Sequence, residues 1–484
     1  MAATAKPSDI VIMPGAALSA AIKAKRVSCT EVMSAYLDHI AAFNPKVNAI
    51  VSLRDRESCM RDAHAKDADL ARGNYHGWMH GFPHAVKDLA AAQGIRLTMG
   101  SPLFKDFVAP SDAIHVERMK RAGAIVIGKT NTPEFGLGSQ TYNPVFGTTL
   151  NPYDLTKTPG GSSGGACVSL ALHMLPVADG SDSGGSLRNP AGYCNVFGLR
   201  PSWGRVPGEG MDVFNPTFGV SGPMARTVTD LAMLLSVQAG YDARAPLSIR
   251  QDPAVFAGSL KRDFRGVRIG WLGDFGGYLP FEPGVLDLCR ASFKAFEQFG
   301  CVVEEARPDF PPEKVWDAWV KLRAVQNAAS LKGFYADPAK RALMKPEAQY
   351  EVETAAKVSA ADMTDAAAVR TQWYQAMRRF MDKHEFVLLP SAQVFPFDAK
   401  THWPSEIAGR KMDTYHRWME TCSLISMSGL PSLNVPAGFN ARGMPMGMQI
   451  VGRNQAELSC LQLAFAYDEA TRWVEKRKPA LLGA

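Results

Sequence analysis

The stretch Thr158–Arg188 reads TPGGSSGGACVSLALHMLPVADGSDSGGSLR and contains two serine clusters set among glycines. Ser162 lies in Gly-Gly-Ser-Ser-Gly-Gly, and Ser186 ends a second Gly-Gly-Ser cluster further along. The apolar run between them, Val168–Ala178, has the length of a short helix and the start of a strand. Glycine beside serine lets a substrate carbonyl approach the main chain and leaves N–H groups for a developing oxyanion. The stretch therefore predicts a serine nucleophile.

A serine nucleophile needs a base, and a lysine at the end of a short apolar run is one candidate. Lys87 ends such a run within Gly81–Asp88, which predicts a strand. An amine desolvated among apolar residues has a lowered pKa, so its neutral form is available to accept a proton. A lone lysine at a strand end is more often solvated. The interpretation of Lys87 therefore depends on the motifs that accompany it.

Several further motifs occur in a fixed order around these segments. They are Gly-Lys-Thr-Asn-Thr-Pro-Glu-Phe at 128–135, Gly-Leu-Arg-Pro at 198–201, Gly-Pro-Met-Ala-Arg at 222–226, Gly-Leu-Pro at 429–431 and Val-Pro-Ala-Gly at 435–438. Together with the lysine segment and the two serine clusters, they resemble the amidase signature family of serine hydrolases over nearly the whole chain. The resemblance implies an α/β fold in one domain, 1–484, with a large twisted mixed β-sheet core covered by helices on both sides.

The resemblance also implies a Ser–Ser–Lys triad. Ser186 matches the nucleophile, Ser162 the bridging serine that family members hold in a cis peptide, and Lys87 the base. A neutral Lys87 would accept a proton from Ser162 while Ser162 accepts one from Ser186. Ser186 would then attack the substrate carbonyl, and water would hydrolyse the acyl-enzyme. For the competing serine, Ser163, we expect a hydrogen bond to the loop or to the helix start.

Around the nucleophile the resemblance assigns two further sets of groups. The oxyanion hole would consist of the backbone N–H groups of Ser183, Gly184, Gly185 and Ser186. Asp182 and Arg188 match positions that brace the site, with Asp182 ordering the glycine turn and Arg188 pairing with a carboxylate. A plain structural ion pair accounts for these two residues equally well.

Other known site patterns explain less of the sequence. Gly160–Gly164 fits G-x-S-x-G, the nucleophile elbow of α/β-hydrolases, which would make Ser162 the nucleophile and require Asp and His partners. Histidines at 384, 402 and 416 lie downstream, but this interpretation leaves Lys87 and the second serine cluster unexplained. No G-x-x-x-x-G-K-[ST] and no H-E-x-x-H occurs, and glycines at 73 and 77 argue against a helical His76–His80 pair. We therefore expect neither a metal nor a cofactor.

The composition is that of an ordinary globular enzyme, with 46% hydrophobic and 21% charged residues among 484. The net charge of +6 is spread along the chain, so no nucleic-acid surface is expected. Eight dispersed cysteines without C-x-x-C spacing indicate neither a zinc site nor a disulfide framework. Since the N-terminus lacks a signal-peptide core and no apolar run reaches about 18 residues, we expect no membrane segment and a cytoplasmic location.

Hydrophobic periodicity predicts the order of the elements. The N-terminal region, 1–75, reads as helical, and Ser28–Glu31 has capping-box spacing; these helices either pack on the core or support a homodimer. Further helices are predicted at 112–121, 225–239, 284–299 and 455–476, and strands at 81–88, 124–128, 267–272, 301–305, 386–390, 432–436 and 446–451. Residues 206–218 read as a loop rich in Gly and Pro.

The region 310–420 is predicted to be mostly helical as far as 384 and contains five of the nine tryptophans. We expect this aromatic-rich region to border the substrate pocket, although core packing suits most of its rings better than a substrate channel. Tyr142 and Phe146, in the loop 130–151, are candidates for lining the pocket. Pinning the loop explains these two rings equally well.

Three functions remain open on the sequence alone. The first is an amidase that hydrolyses a small-molecule carboxylic amide with water, with esters or carbamates as further substrates. The segment Tyr415–Met419 resembles bacterial members that act on hydrophobic, aryl or nylon-type amides. The second is the glutaminase subunit of a tRNA-dependent amidotransferase, from whose usual pattern Phe214–Phe218 departs. The third is a non-catalytic binding scaffold, which the three filled catalytic positions disfavour.

Overall fold

The computed structural model of the protein describes residues 8–210, 212–215 and 218–483. The predicted N-terminal region 1–75 begins before this part of the chain, and the segments 206–218 and Phe214–Phe218 include residues outside it. The α-helices are α1 (Asp9–Ile12), α2 (Gly15–Lys23), α3 (Cys29–Val47), α4 (Arg56–Ala71), α5 (Ile114–Arg121), α6 (Gly164–Ala171), α7 (Asn189–Tyr193), α8 (Val228–Gln238), α9 (Val285–Ala291), α10 (Phe293–Gln298), α11 (Pro312–Ala336), α12 (Pro338–Arg341), α13 (Pro346–Ala355), α14 (Ala360–Phe380), α15 (Glu420–Ser428), α16 (Glu457–Thr471) and α17 (Trp473–Lys476). Short 3₁₀ helices cover Pro102–Phe104, Glu134–Gly136, Pro253–Ala257, Arg417–Met419 and Ala480–Leu482.

The strands form a large mixed sheet, a smaller sheet and two hairpins. They are β1 (Ile50–Val51), β2 (Pro83–Lys87), β3 (Ile125–Thr130), β4 (Tyr142–Asn143), β5 (Gly147–Thr148), β6 (Ala178–Asp182), β7 (Phe197–Arg200), β8 (Val220–Ala225), β9 (Arg268–Trp271), β10 (Val302–Glu305), β11 (Phe386–Pro390), β12 (Glu406–Ile407), β13 (Arg410–Lys411), β14 (Ser432–Phe439) and β15 (Pro445–Val451). Eight strands form the large sheet in the order β10-β9-β11-β15-β14-β7-β8-β6, and helices flank it. The predicted α/β class is confirmed.

The small sheet has the order β1-β3-β2 and approaches the large sheet at one edge. Its edge strand β2 faces β6, the edge strand of the large sheet, and side chains rather than a backbone ladder join the two. The Lys87 backbone N–H lies 3.3 Å from each carboxylate oxygen of Asp179 on β6. We call these facing edges of β2 and β6 the seam. Because Lys87 ends β2 and the stretch after β6 carries Ser186, the seam brings the two sequence motifs together.

Most predicted helices and strands are confirmed, with boundaries shifted by a few residues. The capping box at Ser28 and Glu31 forms at the start of α3. The helix predicted over 284–299 is instead two helices, α9 and α10, which meet at Ser292. None of the described helices combines the length and the apolar character needed to cross a membrane.

Two central strands, β7 and β8, were not predicted because glycine and proline lower strand propensity. In the structure those glycines are required by close packing. A Cβ on Gly198 would lie 2.0 Å from the Leu187 carbonyl oxygen, and one on Gly222 would lie 2.3 Å from the Leu199 carbonyl oxygen. Packing therefore outweighs propensity at these two positions.

The tryptophans of the aromatic-rich region belong mainly to the core, as expected. Trp316, Trp319, Trp373 and Trp418 are each 5% exposed or less, whereas Trp403 is partly exposed. The N–H of Trp373 donates to the Leu424 carbonyl oxygen at 2.8 Å and so links α14 to α15. Their burial shows that most of these rings stabilise the packing of helices on the large sheet.

Helix α6, which follows Ser162 and Ser163, packs closely on the small sheet. Gly165 in its first turn donates its N–H to the Asn131 carbonyl oxygen at 3.2 Å. A Cβ at this position would lie 2.3 Å from the Asn131 nitrogen and 2.5 Å from the Ala49 carbonyl oxygen. The glycine therefore sets how near the serine-bearing loop lies to β3.

We expect Gly165→Ala to lower the free energy of unfolding by roughly 1–3 kcal/mol, because the methyl group meets backbone atoms and overpacking costs about that much. Urea denaturation of both proteins measures the difference. Gly333→Ala is the matched control, since it also lies in a helix but has nothing within 4 Å of its Cβ position. That variant should gain up to about 1 kcal/mol from helix propensity. Equal effects of the two substitutions would contradict the packing argument.

Candidate active site

The Lys87 amine is surrounded by oxygen atoms at the seam. Its Nζ lies 2.8 Å from the hydroxyl oxygens of both Ser162 and Ser163. The Ser181 hydroxyl and carbonyl oxygens lie at 3.0 and 3.1 Å. Only 1% of Lys87 is exposed. The structure thus brings Lys87 and Ser162 into direct contact and shields the amine from solvent.

Burial lowers the pKa of the Lys87 amine from 10.5 to about 7, because the charged form loses its hydration. The carboxylates of Asp182 and Asp179 oppose this change, since negative charge favours the protonated amine. Desolvation is the larger effect. A substantial share of the amine is therefore uncharged near neutral pH and able to accept a proton.

Glycine and a polar loop hold Ser162 in place. The peptide bond between Gly161 and Ser162 is cis, as the resemblance implied. Gly160 has a φ of +74°, and a Cβ there would lie 2.4 Å from Oδ1 of Asn189. The Gly160 carbonyl accepts the Thr141 hydroxyl at 2.9 Å. Because a side chain at 160 would be strained and blocked, the Gly-Gly pair allows the chain to present Ser162 to the amine.

The expectation for Ser163 was wrong. It precedes α6 but its side chain makes no capping hydrogen bond. Its hydroxyl instead lies 2.8 Å from Lys87 Nζ and 3.4 Å from the Ser181 carbonyl oxygen. The Ser163 hydroxyl is thus a hydrogen-bond partner of the buried amine and not of the helix start. Ser163 is therefore a second hydroxyl at the base.

The turn that carries Ser186 is organised by one carboxylate. Asp182, at the end of β6, accepts the Gly185 N–H at 2.9 Å and the Leu187 N–H at 3.0 Å. Gly185 has a φ of +131°, a region that favours glycine. Ser186 lies between these two bonded N–H groups and is 7% exposed. Its backbone is therefore fixed on both sides.

Two arginines hold the Asp182 carboxylate. Arg188 donates from Nε and a terminal nitrogen at 3.0 Å each, and Arg200 contacts Oδ1 at 3.0 Å. Burial by itself would raise the pKa of Asp182, but the two guanidinium groups hold it well below its usual range. Arg188 also donates to the Cys422 carbonyl oxygen at 3.0 Å and so ties the turn to α15. Asp182 and Arg188 thus form an ion pair, which is one of the two predicted possibilities, and Arg200 forms a second ion pair with the same carboxylate.

Not all the N–H groups assigned to the oxyanion hole are available. The Gly185 N–H is bonded to the Asp182 carboxylate in this structure, and its place in the oxyanion hole stays a prediction. Within the described part of the chain, the N–H groups of Ser183, Gly184 and Ser186 have no acceptor. Donors of this kind are free to bind an oxyanion. Three of the four predicted donors remain.

The second step of the predicted relay is not made in this structure. Among the described residues, the Ser186 hydroxyl forms no hydrogen bond, whereas Ser162 contacts Lys87 at 2.8 Å. Catalytic hydrogen bonds in a protein without substrate are often long and shorten only when substrate binds. The structure therefore joins Lys87 to Ser162 and leaves the contact between Ser162 and Ser186 as a prediction.

Trp319 on α11 packs against the turn 183–187, which we call the nucleophile turn after the predicted role of Ser186. A Cβ on Gly184 would lie 2.9 Å from Cζ2 of the indole, so the ring edge touches the turn. Trp316 stacks on Trp319 with ring centroids 5.0 Å apart, and His416 meets it edge-on at 4.9 Å. The buried Trp319 N–H has no hydrogen-bond partner within the described ranges. The aromatic-rich region thus contributes a wall beside Gly184.

The rings at 142 and 146 are tied to other parts of the protein. The Tyr142 hydroxyl bonds to Glu347, and its ring stacks on His402 at 4.6 Å. The Arg96 guanidinium lies over Phe146 at 5.0 Å. These contacts pin the loop, and a place for either ring in the substrate pocket stays a prediction.

The nucleophile-elbow alternative is contradicted by the partners of Ser162. Its hydroxyl bonds to Lys87, whereas the downstream histidines bond elsewhere. His384 contacts Glu304 at 2.6 Å, His402 stacks on Tyr142, and His416 contacts the Thr414 hydroxyl at 2.7 Å. No histidine therefore serves as base to this serine in the described structure.

Sequence reasoning missed four residues that contact the site: Asp179, Ser181, Arg200 and Trp319. For Asp179 a signal existed, because a carboxylate inside the otherwise apolar start of a strand is rarely buried without a partner. Arg200 lies in the Gly-Leu-Arg-Pro motif but was given no role. Trp319 reaches the turn only through the packing of α11, which no local pattern indicates.

Comparison with known proteins identifies the family of the chain. A model of the amidase family matches residues 31–461. The chain is 32% identical over 472 residues to an acylamidase of Rhodococcus erythropolis, covering 96% of both. It is 32% identical over 486 residues to a glutamyl-tRNA(Gln) amidotransferase subunit of Moorella thermoacetica, covering 96% of this chain and 97% of that one. The crystal structure of a bacterial aryl acylamidase of the amidase signature family superimposes with a TM-score of 0.91 at 30% identity, covering 99% and 100%. A 6-aminohexanoate cyclic dimer hydrolase superimposes with a TM-score of 0.85 at 25% identity, covering 98% and 100%.

We expect Lys87→Met to change how the free energy of unfolding depends on pH. The pKa of Lys87 falls on folding from 10.5 to about 7, so between these values the unfolded chain binds the lysine proton more tightly. The Lys87 contribution to stability therefore rises with pH across this window and is most unfavourable below about pH 7. We consider the free energy of unfolding of the variant minus that of the wild type. This difference should be larger at pH 7 than at pH 10 by roughly 3–5 kcal/mol, at about 1.4 kcal/mol per pKa unit.

Urea denaturation at several pH values between about 7 and 10 measures this difference. Lys105→Met is the control, because the Lys105 side chain is 64% exposed. It should leave the pH dependence of unfolding as in the wild type. Parallel pH dependences for wild type and Lys87→Met would show that the amine is not desolvated.

Proposed function

Since the chain belongs to the amidase signature family, we propose that it is an amidase that hydrolyses a carboxylic amide to an acid and an amine. The observation that carries this proposal is the buried Lys87 amine 2.8 Å from the Ser162 hydroxyl, beside the turn of Ser186. A neutral amine in contact with a hydroxyl supplies the base that a serine nucleophile requires. Esters and carbamates present the same carbonyl and are included in the proposal.

The proposed mechanism moves one proton through two serines. The Lys87 amine has one lone pair and two N–H bonds. The lone pair accepts the Ser162 proton, and the N–H bonds point to Ser163 and Ser181. Ser162 in turn accepts the Ser186 proton as the Ser186 oxygen bonds to the substrate carbonyl carbon. The protonated lysine then returns the proton through Ser162 to the leaving nitrogen.

The turn would stabilise the negative charge that develops on the carbonyl oxygen. The N–H groups of Ser183, Gly184 and Ser186 are the donors available for it, and each such donor is typically worth a hundredfold or more in rate. Collapse of the tetrahedral intermediate expels the amine and leaves an ester on Ser186. Water, activated by the same base, would cleave that ester and release the acid.

We further propose that the substrate carries a hydrophobic or aryl group. Trp319 supports this, because its ring edge contacts Gly184 in the turn that carries Ser186. An acylamidase among the relatives and an aryl acylamidase among the similar structures support it as well. An apolar ring placed against an indole gains from both burial and ring geometry.

Beyond the chemistry, we retain a single domain over 1–484, a cytoplasmic location and a homodimer as proposals. The eight cysteines support the second of these, because all are buried and free. Disulfides are rare in the reducing cytosol, and free buried thiols suit that compartment.

The amidotransferase subunit is the second candidate, and the curated relative from Moorella thermoacetica favours it. That function needs a complex with a partner subunit. Co-purification with a partner subunit, together with glutaminase activity that appears only in the complex, would favour this candidate over a stand-alone amidase.

We expect Ser186→Ala to lower kcat/KM for an anilide by more than about a thousandfold, because loss of a nucleophile removes the covalent route. Labelling by a fluorophosphonate probe, read by intact mass, should disappear in the same variant. Ser169→Ala is the control, since Ser169 is also buried but bonds to the Gly165 carbonyl oxygen within α6. Retained hydrolysis and labelling in Ser186→Ala would exclude Ser186 as the nucleophile.

We expect Trp319→Leu to lower kcat/KM for a bulky aryl amide by about tenfold or more, because contacts of this size are worth roughly 1–3 kcal/mol. Hydrolysis of a short aliphatic amide should fall much less, since it does not reach the ring. Trp373→Leu is the control: it removes an equally buried indole on α14 and should reduce stability without changing the ratio of the two rates. An unchanged ratio in Trp319→Leu would remove Trp319 from the substrate pocket.

A further inference from the structure

A second buried charged group lies directly behind Lys87. Asp179 on β6 is 1% exposed and faces β2 across the seam. Its two carboxylate oxygens each lie 3.3 Å from the Lys87 backbone nitrogen. His84, also on β2 and fully buried, places Nε2 2.9 Å from Oδ1. One carboxylate thus contacts β2 at two positions, one of which is Lys87 itself.

This carboxylate stands where a backbone ladder would otherwise continue the sheet. The small and large sheets share no strand pairing at the seam, so the Lys87 N–H has a side chain as its acceptor. A buried carboxylate without compensation is strongly destabilising, and here the Lys87 backbone N–H and His84 contact the Asp179 oxygens. Burial would raise the pKa of Asp179, and its two histidine neighbours hold that pKa well below the usual range. The carboxylate is therefore charged in the folded protein.

We propose that Asp179 is a positioning residue for the catalytic base. Its carboxylate, held by His84, fixes the backbone of β2 at Lys87 and supplies a negative field that favours the protonated amine. The kinetic consequence of this inference rests on the proposed function. The position of the carboxylate against Lys87 is independent of that function.

The direction of the electrostatic effect follows from the groups that face each site. Besides Asp179, the titratable groups near the Lys87 amine are Asp182 and Cys167. The groups that face Asp179 are His84 on β2, His115 on α5, whose Nε2 lies 3.6 Å from Oδ2, and the buried Lys129 amine on β3, whose charge also interacts with this carboxylate. Removing the negative charge of Asp179 favours the neutral amine, because that charge stabilises the protonated form. The Lys87 amine should then lose its proton at lower pH.

The test is the pH profile of kcat/KM for an anilide in Asp179→Asn, which keeps the shape of the side chain and removes its charge. This parameter reports the free enzyme's essential base. We expect its acidic limb to move to lower pH by about one unit, the lower end of what a neighbouring opposite charge does to a pKa. A purely structural role would lower the rate at every pH and leave the limb in place, and that result would overturn the proposal.

Asp88→Asn is the matched control. Asp88 directly follows Lys87, is fully buried and accepts hydrogen bonds from the Thr98 backbone and hydroxyl. Its loss should reduce stability without moving the limb. An equal movement in Asp88→Asn would mean that any buried charge near β2 has this effect, and the specific assignment to Asp179 would fail.

If Asp179→Asn does not fold, His84→Leu replaces it. That substitution removes the principal donor to the carboxylate, so the negative charge acting on Lys87 is less compensated. The acidic limb should then move to higher pH, the opposite direction. An unmoved limb, or movement to lower pH, would overturn the proposal.

A measurement without substrate separates this inference from the proposed function. Urea denaturation gives the free energy of unfolding with and without Lys87→Met, once in the wild type and once in Asp179→Asn. The pH range over which the two values differ by a changing amount is the window in which Lys87 affects stability. In Asp179→Asn the lower edge of that window should move to lower pH by the same amount. A wild-type protein that hydrolyses no amide, ester or carbamate would defeat the proposed function, whereas an unmoved window would defeat the role of Asp179.

Discussion

The desolvation of one amine is the constraint on which the candidate site depends. Lys87 ends a strand at the seam, where Ser162, Ser163 and Ser181 replace water around its Nζ. These neutral oxygens can share hydrogen bonds with the amine but do not neutralise a positive charge as a carboxylate would. Burial therefore dominates, and the pKa falls to about 7. A solvated lysine in the same sequence would remain protonated and could not act as a base at neutral pH.

The carboxylates of the site are arranged so that they do not cancel this effect. Asp182 has the larger effect on the pKa of the amine, but its carboxylate pairs with Arg188 and Arg200 and accepts N–H groups of the turn that carries Ser186. Asp179 is held by His84 and contacts the backbone of Lys87 rather than its amine. Each carboxylate thus organises backbone N–H groups while its charge is met by a neighbouring cation or donor. The pKa of the Lys87 amine therefore stays low, because both carboxylates form their hydrogen bonds with other groups and not with the amine.

Close packing at glycine connects this chemistry to the fold. Gly165 lets α6 approach β3, and Gly184 lets the indole of Trp319 reach the nucleophile turn. Gly198 and Gly222 allow β7 and β8 to lie beside that turn within the large sheet. At each place a methyl group would collide with backbone or ring atoms, so the site and the core are fixed by the same contacts.

The sequence by itself determined the α/β class and most of the elements, because hydrophobic periodicity and turn residues constrain local backbone geometry. Its resemblance to a family also pointed to Lys87 and Ser162, whose side chains the structure brings into contact. It did not determine what lies across the seam. The Ser163 hydroxyl contacts the Lys87 amine instead of capping a helix, and the Gly185 N–H donates to Asp182. Trp319, which contacts Gly184, lies on a helix more than a hundred residues further along the chain. Those outcomes depend on which buried donors meet which acceptors once two sheets and a helical layer pack together. That choice is made by the tertiary structure, since burial makes an unpaired polar group costly only after folding has excluded water.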